Sequence, residues 1–188
     1  MTAVEEVDFC GLALACAPGR VLLPRPATER LVETALRELD GRTARVVDVG
    51  TGSGAVAVAL AVAAPALEVW ATDTSGCAVE LARENAHRHG VGQRVRVRRG
   101  DLLEPVPGAI DLIVANLPYL PAAEAAAHPE LAGEPVGAVY APGDGLGPYR
   151  RLLAAAEERL SDGGLVVFQL HREPIVVSRE QLPLRLAA

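Results

Sequence analysis

Lysine is absent from this chain, so all eighteen of its basic residues are arginine. Alanine is abundant beside them, and the two together read as the coding bias of a GC-rich genome, without functional content. Cysteine is scarce. Cys10, Cys16 and Cys77 are odd in number and form no C-x-x-C pair, which argues against a disulfide framework or a zinc site and leaves buried, reduced thiols as the expectation. The histidines (His87, His89, His128 and His171) show no ligand spacing, so no metal is expected. No uninterrupted apolar run reaches the roughly 18 residues of a membrane span, and "MTAVEEVDF" is acidic where a secretory signal would be basic and then apolar. The chain therefore reads as soluble and cytoplasmic. Positive charge is also short: a net −6 argues against coating nucleic-acid backbone and favours small molecules and proteins as partners.

What is there is apolar sequence. Half of the 188 residues are apolar, enough for one domain with a sizeable core and too few for two. Residues 28–39 place Leu31, Val32, Ala35, Leu36 and Leu39 on one helical face, with Glu29, Arg30, Glu33, Arg37 and Glu38 opposite. "ARVVDVG" (44–50) predicts a strand, "SGAVAVALAVAA" (53–64) a helix buried all round, and "LEVWATD" (67–73) a second strand. "SGCAVELARENAHRHG" (75–90) predicts a helix with Ser75 as its cap and Gly90 as its stop. In residues 93–101 Val95 and Val97 alternate with Arg94, Arg96 and Arg98, the pattern of a sheet edge. "AIDLIVAN" (109–116) is continuously apolar and so central. A loop over 117–148, a helix over 149–160, an "SDGG" turn and a strand over 165–170 follow.

Strands alternating with helices predict an α/β fold, a mostly parallel doubly wound sheet with right-handed crossovers and helices on both faces. Ligands of such sheets sit beyond the carboxyl ends of the strands, where strand order reverses. Asp48 and Gly50, Asp73, Asp101 and Asn116 all fall at strand ends of this kind. That coincidence is the main argument for a site.

"DVGTGSG" (48–54) brings Gly50, Gly52 and Gly54 to a helix N-terminus, where backbone can approach a ligand closely; a plain tight turn would need the same glycines. Asp73, about twenty residues on, can accept hydrogen bonds from two ribose hydroxyls, or simply cap the next helix. Together they point to an adenosine-containing cofactor, either a dinucleotide or S-adenosylmethionine. "NLPY" (116–119) adds a side-chain carbonyl, a backbone carbonyl fixed by proline and an aromatic face. Such acceptors can hold a planar NH2 group by both hydrogens and favour its developing tetrahedral form, which suits methyl transfer to nitrogen.

In "PRPATE" (24–29), "DVGTGSGAVAVALA" (48–61), "ARENA" (82–86), "IVANLPY" (113–119), "EPVGAVYAPGDGLGPYRRLL" (134–153) and "LSDGGLVVFQ" (160–169), the sequence resembles the PrmC/HemK-type protein glutamine N5-methyltransferases. These are class I S-adenosylmethionine-dependent enzymes with a Rossmann-like sheet. The resemblance covers roughly residues 8–170 and implies an N-terminal extension and flap helix over 1–40 ahead of a methyltransferase domain over 41–188. It implies that Gly50, Thr51, Gly52, Ser53 and Gly54, with Asp48 at the head of the loop, hold the methionine side of S-adenosylmethionine. Asp73 would hold the ribose, and Asp101 and Leu102 would lie near the adenine. Asn116, the Pro118 carbonyl and Tyr119 would grip the substrate amide, with Leu117 beside them. Residues 24–29, including Arg25, Pro26 and Thr28, would cover the site, Arg25 serving either the substrate or a structural anion. The implied partner is a protein substrate of the release-factor type.

Three departures from that family stand out. Leu117 replaces the middle proline of N-P-P-Y, and N-L-P-Y is also similar to the motif of ribosomal-RNA adenine dimethylases. Only about two dozen residues precede "PRP", so a short form without the family's long N-terminal helical domain is expected. After the fifth strand only "HREPIVVSREQLPLRLAA" (171–188) remains, room for one short strand, so an unfinished sheet predicts dimerisation, another partner or low stability. Adenine N6-methylation of RNA or DNA is the alternative chemistry, and a cofactor-binding subunit with little catalysis the alternative of another class. A nucleotide-dependent oxidoreductase ranks last. The arginines and histidines between Arg83 and Arg99 read as a solvated helix end and edge strand, since no aromatic residues interleave with them to stack bases.

Overall fold

Strands whose two faces are both apolar must lie inside a sheet with helices on either side. In the computed structural model, which describes residues 4–170 and 173–182, β3 (Arg45–Val49), buried from Val46 to Val49, and β6 (Ile110–Ala115), buried except at Asp111, are neighbours at the centre of a six-stranded sheet. Outward from β3 come β4 (Glu68–Asp73) and then β5 (Val95–Arg99). Outward from β6 come β9 (Leu160–Leu170) and β10 (Glu173–Ser178). All pairings are parallel except that of β10 with β9. The chain thus runs from the centre to one edge, then crosses back to build the other half. The reversal falls between β3 and β6.

One face carries α1 (Pro26–Leu39), α2 (Ala55–Ala63) and α3 (Gly76–Arg88), and the other carries α5 (Gly147–Arg159). The stripe expected on α1 is the buried one, with Leu31, Val32, Ala35 and Leu39 against the sheet. The wholly apolar α2 is buried from Ala55 to Ala61. Its first turn approaches α3 so closely that a Cβ at Gly54 would lie 2.9 Å from Ala82 Cα, so the glycine is needed for space as well as for its φ of 81°. Ser75 caps α3, its hydroxyl accepting from Ala78 N–H at 3.4 Å. At the β5 edge Val95 and Val97 point inward, while Arg96 and Arg98 lie over the buried Trp70 ring at 5.4 and 5.5 Å. Two guanidinium groups therefore lie over the indole.

Several features depart from the sequence expectations. The described part of the expected extension, residues 4–25, holds a hairpin ahead of the helix: β1 (Glu5–Phe9) and β2 (Leu12–Cys16) turn at Cys10 and Gly11, with φ of 51° and 72°. It is fastened by Asn85, wholly buried on α3, whose Nδ2 donates to the Ala15 and Ser53 carbonyls and whose Oδ1 accepts from Ala15 N–H, each at 2.8 Å. Of the cysteines, only Cys16 is buried. Cys10 is exposed at the turn and Cys77 half-buried. The expected loop 117–148 contains a short parallel pair, β7 (Leu120–Pro121) with β8 (Tyr140–Ala141), two 3-10 turns and the short helix α4 (Val136–Val139). The "SDGG" turn is absorbed into β9 as an irregularity, with Leu160 paired to Ile110 but Leu165 to Leu112. The short strand expected after residue 170 is β10, laid along the outer edge of β9, while His171 lies outside the described residues.

Candidate active site

Beyond the carboxyl ends of β3, β4 and β6 lies a cavity of about 420 Å³, within the size range of small-molecule sites. Its wall includes Gly50, Gly52, Asp73, Asp101, Leu102 and Asn116. The glycine-rich turn is fixed by backbone: the N–H groups of Gly50 and Thr51 both donate to the Thr72 carbonyl, at 2.9 and 3.0 Å. Gly50 has a φ of 72°, and a Cβ there would lie 2.7 Å from Leu117 Cδ2. Asp73 ties the turn to α3, Oδ2 accepting from Gly52 N–H at 3.0 Å and Oδ1 from Ser75 N–H at 2.9 Å. Each oxygen keeps a further lone pair for a ligand hydroxyl.

Asp48, Thr51, Ser53 and Gly54 do not line this cavity. Asp48 stands behind the turn with 2% of its surface exposed, where its Oδ2 accepts from Thr51 Oγ1 at 2.6 Å and from Ala57 N–H at 3.1 Å. Burial pushes its carboxyl up to about 7, against the lowering effect of those two hydrogen bonds. It holds the loop's shape from behind. Ser53 contributes its carbonyl to Asn85. At the end of β5 Asp101 pairs with Arg151 of α5, and Leu102, at a φ of 47°, is held by its carbonyl accepting from Thr72 Oγ1 at 2.8 Å.

A second cavity of about 230 Å³ adjoins the first, and Asn116, Leu117 and Pro118 line both. Tyr119, Arg25 and Thr28 line only the second. Asn116 Nδ2 donates to Thr28 Oγ1 at 3.1 Å, which leaves Oδ1 as the acceptor at this shared wall. The covering segment begins earlier than residues 24–29: Arg20, Val21 and Leu22 overhang the first cavity, whereas Pro26, at the helical N1 position, starts α1 and lines neither. Proline suits N1, where its missing N–H is not required. Arg25 pairs with Glu134 at 3.1 Å, and Glu134 also accepts from Leu23 N–H at 3.4 Å, so the strap is tied to the segment around α4. "HPELAGEP" (128–135) thus supplies part of the cover, with Leu131 on the second cavity and Pro135 on the first.

Two residues not singled out as site residues matter here. Tyr149, 3% exposed, accepts from Leu117 N–H at 2.9 Å and has its hydroxyl 2.6 Å from the Gln169 carbonyl. Glu134 forms the latch just described. Both lie in the quoted "EPVGAVYAPGDGLGPYRRLL" run, which was the available signal. Among the described residues no cluster of His, Cys, Asp and Glu could hold a metal, and no helix is long and apolar enough to cross a membrane.

This sheet, with its cavity at the point of strand reversal, has the class I methyltransferase fold. A 16S rRNA N2 methyltransferase from T. thermophilus, solved with AdoMet and guanosine, superposes with a TM-score of 0.64 over 91% of this chain and 43% of that one, at 18% identity. Residues 26–132 match the model described as "Methyltransferase small domain", and the chain belongs to that family. Among curated proteins it is similar to the release factor glutamine methyltransferase of Deinococcus radiodurans, 46% identical over 88% of this chain. The protein of the same name from Bordetella pertussis is 47% identical over 85%. The chain spans 59% of the length of each.

Proposed function

We propose that the chain is an S-adenosylmethionine-dependent N-methyltransferase acting on a glutamine side-chain amide of a protein, with a peptide chain release factor as the acceptor that the relatives' names suggest. The observation that carries this reading is the wall between the two cavities. There Asn116 is held by Thr28 with its carbonyl oxygen available, next to a backbone carbonyl stiffened by Pro118.

The residues present suit the cofactor. Asp73 has acceptor capacity for a vicinal diol, Leu102 offers an apolar surface, and Gly50 and Gly52 present backbone without side chains to the cavity. S-adenosylmethionine, when bound, supplies a methyl group made electrophilic by a sulfonium. An amide nitrogen is a poor nucleophile because its lone pair is delocalised. Asn116 Oδ1 and the Pro118 carbonyl, accepting both N–H hydrogens, favour the pyramidal nitrogen over the planar ground state. The strap and the α4 segment limit access of water, and the cavity walls supply positioning. Nothing in this scheme requires a covalent intermediate on the protein.

The test is transfer from methyl-labelled S-adenosylmethionine to a release factor carrying a glutamine in an exposed loop, with total RNA offered in parallel. Label on the glutamine is the expected result. Label in adenine would replace this reading with nucleic-acid methylation, and tight binding of S-adenosylhomocysteine without transfer to any acceptor would replace it with a non-catalytic subunit.

A further inference from the structure

The turn that presents the acceptor carbonyls has one loose torsion. A residue before proline is confined to extended ψ, so Pro118 already restricts the ψ of Leu117. The φ of Leu117 is not so confined, whereas a proline at that position would lock it near −65°. Leucine brings an N–H that proline lacks, and this N–H donates to Tyr149 Oη at 2.9 Å. The same hydroxyl lies 2.6 Å from the Gln169 carbonyl on β9 and 3.2 Å from the Leu117 carbonyl. Tyr149 is held in turn by α5 and by its ring against Phe168, with centroids 5.1 Å apart. Its burial raises the phenol's pKa, so the hydroxyl keeps its proton and can accept and donate together. The shorter contact makes the Gln169 carbonyl the recipient of that proton.

We infer that Tyr149 is a positioning residue whose hydroxyl holds the Leu117 N–H and thereby does for this turn what a proline ring at 117 would do. It rests on the function proposed above, since what it positions is Asn116 on one side and the Pro118 carbonyl on the other. The hydrogen bond fixes the plane of the Asn116–Leu117 peptide, and Pro118 fixes the next. Leu117 is itself seated, 7% exposed, with Cδ2 against the glycine turn at Gly50. The Leu117 side chain and the Tyr149 hydroxyl therefore join the cofactor wall, the acceptor turn and β9.

The experiment is a double-mutant cycle read in kcat, in the KM of each substrate and in amide hydrogen exchange. Tyr149→Phe should lower kcat about tenfold, the size of one hydrogen bond, while both KM values stay within about twofold. In a Leu117→Pro background the same change should cost less than about threefold in kcat, because no N–H remains to be held. In a Leu117→Ala background, which keeps the N–H, the loss should again be about tenfold. Exchange at the Leu117 amide should rise in Tyr149→Phe by at least about tenfold more than at Val114 on β6, a readout that needs no acceptor. Equal kcat losses in the leucine and proline backgrounds, or equal changes at the two amides, would overturn the inference. Should wild type transfer no methyl to glutamine, the proposed function fails and the exchange comparison alone decides the clamp. If Tyr149→Phe does not fold, exchange in wild type decides: a Leu117 amide protected to within about threefold of Val114 on β6 supports the clamp, and one exchanging more than about a hundredfold faster refutes it.

Discussion

The two cavities that meet at Asn116 are built in opposite ways. The larger is built on the ends of β3, β4 and β6 and on a turn supported from within one βαβα stretch, with Thr72 under Gly50 and Thr51, Asp73 on Gly52, Asp48 on Thr51 and Ala57, and Asn85 on Ser53; its cover, from residues 20–22 and Pro135, comes from elsewhere in the chain. The smaller is walled by segments far apart in the chain, Arg25 on Glu134, Thr28 on Asn116 and Tyr149 on Leu117. One side is a rigid receptor made by a supersecondary unit. The other is assembled only when the strap, the segment after β6 and α5 have docked. Such a division suits the function proposed above, in which the cofactor is constant and the acceptor is a surface of another molecule.

The largest effect should come from striking both sides at once. Gly50→Val forces a β-branched residue into a φ of 72° and puts its Cβ against Leu117 Cδ2. Strain and overpacking together amount to about 3 kcal/mol, or roughly a hundredfold. Calorimetry should show S-adenosylhomocysteine binding weakened by about that factor, and methyl transfer lost with it. Retention of affinity within about threefold would show that the turn can move away from Leu117, and that the two walls are less tightly joined than the geometry states.

An intermediate effect isolates the cofactor side. The Asp48 carboxyl, at about 7 in the fold, lies above its ordinary value, so the native state holds a proton that the unfolded chain has released between about pH 4 and pH 7. Raised folded affinity for a proton means that stability is greatest at the acidic end of that window and falls as pH rises through it. It levels off above the folded value. The slope from this residue is at most about 1.4 kcal/mol per pH unit. Urea midpoints followed from pH 5 to pH 8 should decline for wild type and decline less for Asp48→Asn. Parallel curves would mean that Asp48 is ionised throughout, its burial offset by Thr51 and Ala57.

The difference between the two sides also explains what could be read from the sequence. Alternation in β5, the continuous apolar runs of β3 and β6, the all-apolar α2 and the Ser75 cap are local patterns, and each lies where its pattern places it. The same locality put Gly50, Gly52, Asp73, Asp101, Leu102 and Asn116 on one cavity. Asp48 was visible at its strand end, but not that it faces away, since its two partners are fixed by how the turn folds back on α2. The hairpin escaped because the pair at its tip, Cys10 and Gly11, begins with a residue that rarely takes positive φ. Glu134 sits in a run rich in Pro, Gly and Ala, where no period announces an element, and Tyr149 opens the helix predicted over 149–160, whose period says nothing of what its hydroxyl would hold. Their roles arise from contacts with residues 25 and 117, separations over which no local rule operates.

The smallest effect should fall on the acceptor side alone. Arg25 is about half exposed, 45%, whereas Glu134 is 10% exposed, so the latch between them lies at the rim of the second cavity. An ion pair with one solvated partner is worth less than about 1 kcal/mol and weakens with salt. Arg25→Ala also leaves the Glu134 carboxylate with only its contact to Leu23 N–H. Because neither Arg25 nor Glu134 itself lines the first cavity, S-adenosylhomocysteine affinity should stay within about twofold while KM for the protein acceptor rises about two- to fivefold. Raising salt should narrow the gap between wild type and variant, since screening removes from wild type what the substitution has removed from the variant. An equal loss in both substrates would mean that strap and α4 segment close over the cofactor as one lid, and that the division between a preformed and an assembled side ends at Asn116.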